Sequence, residues 1–280
     1  MPFSFSSTYR RLYRMGLLAA SLAPLAAPAL AQGRMEAKYR LSLAGLEIGK
    51  ASLTAEIGDS EYSLIGTGRV AGLMRALSSG KGSAAARGVL SQVKISPRLF
   101  AVSAEAGGKP ESIRFAMTPT GVTDLVVDPP TKPAADRIEI TEANLVGVID
   151  PLSGAFPQVP GPADPLSAAA CKRTIPVFDG RQRFDLALSF ERLEPVKIEK
   201  GFSGTAVVCQ VRYIPVAGHR PTRSAIKYMR ENKDIRIWLV PVAGTRVLAP
   251  FKVSVDTPVG NVELEATSFM TEAKASVPPK

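Results

Sequence analysis

Two cysteines, Cys171 and Cys209, are the only thiols in the 280-residue chain. No Cys-x-x-Cys spacing joins them, so a redox-active pair is not indicated. Two readings remain, a disulfide and a pair of buried free thiols. A bond would close a loop of about 38 residues and destabilise the unfolded chain by about 4 kcal/mol on the loop-entropy model. Between the cysteines lies the densest polar group, Asp179, Gly180, Arg181, Gln182 and Arg183. Two arginines on one strand face could grip an anionic head group in bidentate fashion. The structural alternative is a hairpin turn, shaped by Asp179 and Gly180, that points its arginines outward. His219 is the sole histidine, so a site with two histidine ligands is ruled out. It lies in a Gly/Pro-flanked loop with no nucleophile-elbow motif nearby, which argues against a Ser/His/Asp triad. No phosphate loop or dinucleotide fingerprint is present. Paired carboxylates of the glycosidase kind leave no linear signature. No metal and no cofactor is expected. Trp238 points opposite to Ile237 and Leu239, toward a second packed layer or a ligand groove.

The elements that position these residues are strands. Phe184, Leu186, Leu188 and Phe190 alternate with polar residues or alanine, and Val207, Cys209, Val211 and Tyr213 form a second series. Period-two patterning puts each series on one face of a half-buried strand. The block 171–213 therefore reads as two antiparallel strands, a turn and a third strand that the cysteines would staple back. Upstream, residues 36–57 and 62–68 form a meander with turns at Ala44-Gly45 and Gly58-Asp59. Further strands are expected near 84–95, 98–104, 113–117, 122–127, 235–239, 251–255 and 262–266. Val70, Leu73, Met74 and Leu77 fall at i, i+3, i+4 and i+7, one face of a short helix. That helix is either a core element or a wedge that lines an apolar cavity with the sheet. A second helix is predicted to start at Thr141, carry Leu145, Val148 and Ile149, and end at Asp150-Pro151. The fold class is all-β: a curved antiparallel sheet, barrel-like or half-barrel, of about ten to twelve strands with one or two short helices. Residues 32–270 form one domain, with 128–170 as the join if the sheet falls into two halves, and 271–280 form a loose tail.

Residues 1–31 read as a signal peptide. Arg10, Arg11 and Arg14 precede an apolar run from Met15 to Ala27, and Ala29-Leu30-Ala31 supplies an A-x-A cleavage site. The alternative is a retained anchor, but the run is short and broken by Pro24 and Pro28. Export to the periplasm is expected, the setting in which two cysteines form a disulfide. The three arginines and no acid in residues 1–31 leave +7 of the formal +10 charge on the remainder. A basic exported protein can lean on anionic envelope polymers, although its lysines and arginines are scattered. Nucleic acid is not an expected partner after export, and no later stretch could span a bilayer.

Several motifs carry a resemblance. They are Gly45-Leu46-x-Ile48-Gly49, the run from Gly147 to Ser153, the block from Cys171 through Phe178-Asp179-Gly180-Arg181 to Leu186, Gly204 to Cys209, and Ile237-Trp238-Leu239 with Pro250 and Gly260. Together they resemble the exported Gram-negative proteins of the domain of unknown function 3108 family. That resemblance implies an envelope protein without established chemistry, so it brings no catalytic residues. By looser fold-level analogy, an exported sheet curled around a short helix is similar to LolA/LolB-type lipoprotein carriers. Three functions follow as expectations. The first is a non-enzymatic protein that binds a lipid or acyl chain, with Val70, Leu73, Met74 and Leu77 lining the site and Arg181, Arg183 and Trp238 at its rim. The second is a structural or interaction module for an envelope protein or wall polymer. The third is an enzyme acting on envelope polymers.

Overall fold

A computed structural model describes residues 32–72, 79–92, 94–162, 164–199 and 201–274. The first seven strands run consecutively: β1 (Gln32–Leu43), β2 (Leu46–Ile57), β3 (Glu61–Val70), β4 (Gly80–Leu90), β5 (Ile95–Ala106), β6 (Lys109–Thr118) and β7 (Gly121–Asp128). A long connection then leads through a short helix α1 (Pro151–Gly154) to β8 (Arg173–Phe178), β9 (Arg183–Lys197) and β10 (Ser203–Ala217). Helix α2 (Ser224–Glu231) follows, then β11 (Ile235–Pro241), β12 (Leu248–Val255) and β13 (Val262–Lys274). All thirteen strands form one antiparallel sheet in the order β7-β6-β5-β4-β3-β2-β1-β13-β12-β11-β10-β9-β8. The sequence predicts ten to twelve strands, one or more fewer than are present. Among the described residues, β1 and β13 are the one pair of non-sequential neighbours, and they pair along their full lengths from Gln32↔Lys274 to Leu43↔Val262. Residues 271–274 therefore belong to a strand rather than to a loose tail.

The sheet is curled. Its neighbours lie about 4.8 Å apart, so β6 and β8, eleven steps apart in the order, would stand roughly 50 Å apart if it were flat. Yet the rings of Phe115 on β6 and Phe178 on β8 lie 5.3 Å apart. The two ends of the sheet meet without a ladder between β7 and β8, which leaves a seam. Side chains and the 129–172 connection fill it. Gly180 sits so close to β6 that a Cβ there would come 2.3 Å from Ile113 Cγ2. Arg181 donates to the Thr131 hydroxyl and the Pro129 carbonyl. Ile149 makes a parallel bridge to Val177 on β8.

Two apolar cores follow from the alternation. One gathers Met35, Ala55, Leu64, Phe100, Phe115, Phe156, Phe178, Val208 and Phe269. The other joins Val159, Cys171, Leu188, Val207, Cys209, Leu239 and Leu248. Strand β10 serves both, with Ala206 and Val208 in the first and Val207, Cys209 and Val211 in the second. Cys171 and Cys209 are bonded, and both are fully buried. The bond ties the end of the connection onto the outer-numbered half of the sheet, beneath Val159 and Ala170.

The helix predicted from Thr141 is only a 3-10 turn over Glu142–Leu145, with Asn144 Oδ1 accepting the Thr141 N–H and hydroxyl. Gly147 at φ +70° breaks it, and Ile149 then pairs with β8 instead of continuing a helix. Pro151 starts α1 at a helix N1 position, where its missing N–H costs nothing. Asp150 caps α1 by accepting the Ser153 N–H at 2.8 Å. Ser224–Glu231, a basic stretch with Arg223 at its N-cap, forms α2, an element not expected from the sequence.

Asp150 is fully buried, with Oδ2 lacking a partner among the described residues. Burial pushes its carboxyl pKa up, against the opposing hydrogen bonds from Ser153. A raised folded-state pKa means a contribution that is present below the ordinary carboxylate range and is lost as pH rises through the folded value. Asp150→Asn keeps a good N-cap without the charge. The substitution is expected to match or exceed the wild type at pH 7 in urea midpoint, and to lose that advantage near pH 4. A variant less stable than wild type at pH 7 would contradict this account.

Candidate functional site

The curl leaves an open apolar trough of about 610 Å³. One wall comes from β1 to β5, with Tyr39, Leu41, Leu53 and Val102. The opposite wall comes from Ile237 on β11, Pro250 and Val253 on β12, and Leu264 on β13. Val102 and Ile237 are seven steps apart in the sheet, roughly 33 Å on a flat surface, so only the curl brings them to one cavity. Leu152 and Ala155, on and just after α1, close one side. Glycines keep the β3 and β4 wall shallow: Gly66, Gly68, Gly80 and Gly82 all line the trough, where larger side chains would fill it. Lys50, Arg69, Lys81 and Glu105 border it, and Lys81 pairs with Glu105 at 3.4 Å. The volume falls within the range of about 300–1,000 Å³ usual for small-molecule sites.

Tyr39 is nearly fully buried beside this trough and donates its hydroxyl to the Pro250 carbonyl at 2.6 Å. That bond crosses the β1/β12 gap over β13 and satisfies a polar tip in an apolar wall. Burial pushes the Tyr39 phenol well above its ordinary value, so it stays neutral. Tyr62 shares a hydrogen bond with Ser153 Oγ at 2.8 Å and so fixes α1 against β3.

Of the residues singled out in the sequence, Val70 lines the trough. Leu73, Met74 and Leu77 lie outside the described residues. Asp179 and Gly180 form the β8–β9 turn. Asp179 Oδ1 accepts the N–H groups of Arg181 and Gln182 at 2.7 and 2.6 Å, and Gly180 takes φ +94°. Arg181 serves the seam and lies 3.9 Å from Glu111. Arg183 pairs with Asp185 at 2.7 Å and is largely covered. Neither arginine borders the trough. Trp238 packs into the first core between the cations of Arg192 and Lys252, 5.8 and 5.4 Å from its ring, and does not face the trough either. His219 is buried in the loop after β10, its carbonyl accepting the Ile138 N–H. The wall residues Leu41, Leu53, Val102, Val253 and Leu264 carry strand alternation as their only sequence signal. That alternation places them on the dry face but does not say that the face encloses a cavity.

A barrel-like, all-β protein with a disulfide and an apolar trough is thus the class that fold and site define. The chain belongs to the DUF3108 family: the model of this "Protein of unknown function (DUF3108)" matches residues 38–267. A solved structure similar to this chain is described as a beta-barrel-like protein of domain of unknown function DUF1849 from Brucella abortus. It is 9% identical with a TM-score of 0.46, over 87% of this chain and 99% of that one. No curated protein matches the sequence. No likeness to LolA/LolB-type carriers emerges from these matches. No helix among the described residues is long and apolar enough to cross a membrane.

Proposed function

We propose that this is a non-enzymatic protein of the periplasm that holds the apolar part of an amphipathic envelope ligand, a lipid or acyl chain, in the trough. The supporting observation is a cavity of about 610 Å³ walled by apolar side chains from both halves of one sheet. An unfilled apolar hollow forgoes dispersion contacts that a packed core would make, and an apolar ligand restores them. The export reading of residues 1–31 and the buried disulfide fit an oxidising compartment.

The test is native mass spectrometry of protein isolated from the periplasm, with organic extraction, followed by titration with dansyl-labelled undecanoic acid. A co-purifying lipid and saturable probe binding are expected. Leu152→Glu places a carboxylate against the trough, where it must be desolvated, and is expected to weaken the probe by at least about tenfold. A clean apo mass together with no saturable binding would overturn the reading.

A second reading rests on the outer surface. Ile65, Leu99, Leu125 and Val126 are exposed and border one groove on the β3–β7 side. Such a patch favours an interaction module for an envelope protein or wall polymer. Cross-linking that survives Leu152→Glu but not Ile65→Lys would favour this second reading.

A further inference from the structure

A second cleft, of about 740 Å³, lies on the other side of α1, where the two ends of the curled sheet approach without pairing. Its wall changes character there: Leu152 and Ala155 line the trough, whereas Ser153, Gly154 and Phe156 line the cleft. Three cations enter it, Lys94 and Arg98 from the β4–β5 loop and the start of β5, and Arg173 from the start of β8. No aspartate or glutamate lines it among the described residues. Among the described residues, none of the three cations has a carboxylate within ion-pair distance, although ion pairs are common elsewhere on this surface. Arg173 is half-buried. Its two terminal nitrogens donate to the carbonyls of Gln158 and Ala169, at 2.7 and 3.3 Å, while Nε is buried without an acceptor. Gln158 is itself buried, donates to the Ser91 carbonyl at 2.7 Å, and leaves Oε1 with no donor.

A half-buried guanidinium without a counter-charge costs folding free energy unless an anion supplies the missing charge. Burial already holds the Arg173 pKa below its ordinary value, the sign of a cation lacking local compensation. The apolar floor of Ile95, Met117 and Ile175 suits a carbon skeleton.

We propose that this seam cleft binds a phosphate ester, with Lys94, Arg98 and Arg173 taking the phosphate and the apolar floor taking its carbon skeleton. Two sources share that chemistry, a free polyol phosphate and the head group of a glycerophospholipid. The site stands on residues other than those of the trough, so it goes beyond the function proposed above and can fail independently of it.

The test is isothermal titration of the purified protein with sn-glycerol 3-phosphate, with glycerol as the uncharged control, and with short-chain phosphatidylglycerol. Saturable binding of glycerol phosphate, weakened by added salt and absent for glycerol, is expected. The double substitution K94A/R98A removes two exposed, unpaired cations. It is expected to lower the affinity at least about tenfold, since each charge-assisted bond carries roughly that factor or more, and to leave the melting temperature unchanged. Gln158→Glu sets a carboxylate beside the phosphate and is expected to weaken it further, while Leu152→Glu leaves glycerol phosphate binding as it was. Phosphatidylglycerol sensitive to both K94A/R98A and L152E would identify the lipid head group as the source. Phosphatidylglycerol no tighter than glycerol phosphate would identify the free ester. No saturable glycerol phosphate binding, or binding indifferent to K94A/R98A, would overturn the proposal even if the acyl probe still fills the trough.

Discussion

The double variant C171A/C209A is expected to lose about 4 kcal/mol of unfolding free energy, read as a lower guanidinium midpoint at unchanged folded-state circular dichroism. The disulfide spans 38 residues, and the loop-entropy model assigns about that much to a closed loop of this size. Two structural facts argue against a smaller effect. Both sulfurs are fully buried, so alanine leaves two small voids in a packed cluster. The bond also ties the end of the 129–172 connection to β10, and Val159, Ala170 and Leu166 cover that core from there. Reduction of the wild type should reproduce most of the loss once the bond becomes accessible. A loss of unfolding free energy below about 1 kcal/mol would mean that burial of the connection alone holds that side of the molecule.

The strands and their order within each hairpin were legible because they depend on neighbours in sequence, and the disulfide partners because the chain holds just two cysteines. Alternation at Tyr39/Leu41, which line the trough, or at Val207/Cys209/Val211 in the second core reports an apolar face directly. The turn at Asp179-Gly180 was legible for the same reason: an Asx side chain and a glycine at positive φ are local requirements. Helix α2 was missed because its apolar face, Ala225, Ile226, Tyr228 and Met229, spans only about two turns within a basic run and so sets too short a period. The predicted 141–149 helix failed at Gly147, whose positive φ and the bridge from Ile149 to Val177 belong to tertiary structure. The trough was the least legible feature. Its walls, Val102 and Ile237, lie on strands that meet only through the pairing of β1 with β13 and the curl that follows. Lys94, Arg98 and Arg173 likewise carry no shared pattern, since a seam joins residues that neither alternation nor helical spacing relates.

Phe178→Ala is expected to cost about 3–5 kcal/mol, the range for removing a fully buried phenylalanine, and to do so at the seam. Phe178 has no exposed surface and packs against Phe115, which in turn lies 5.2 Å from Phe100. That aromatic chain is where opposite ends of the sheet touch, and no strand ladder backs it up. A hole there cannot collapse cheaply, because closing it would require β6 and β8 to move toward each other against the fixed contact of Gly180 with Ile113. Hydrogen exchange should therefore rise first in β7, β8 and the connection between them, while β1, β2 and β13 keep their protection. The double cycle with Phe115→Ala separates ring contact from cavity cost. A coupling of about 0.5–1.5 kcal/mol is expected for a tilted aromatic pair in contact. A coupling near zero, with exchange rising evenly through the sheet, would mean that the curl is held by β1–β13 pairing alone. The trough would then be a property of the continuous sheet rather than of its closed seam.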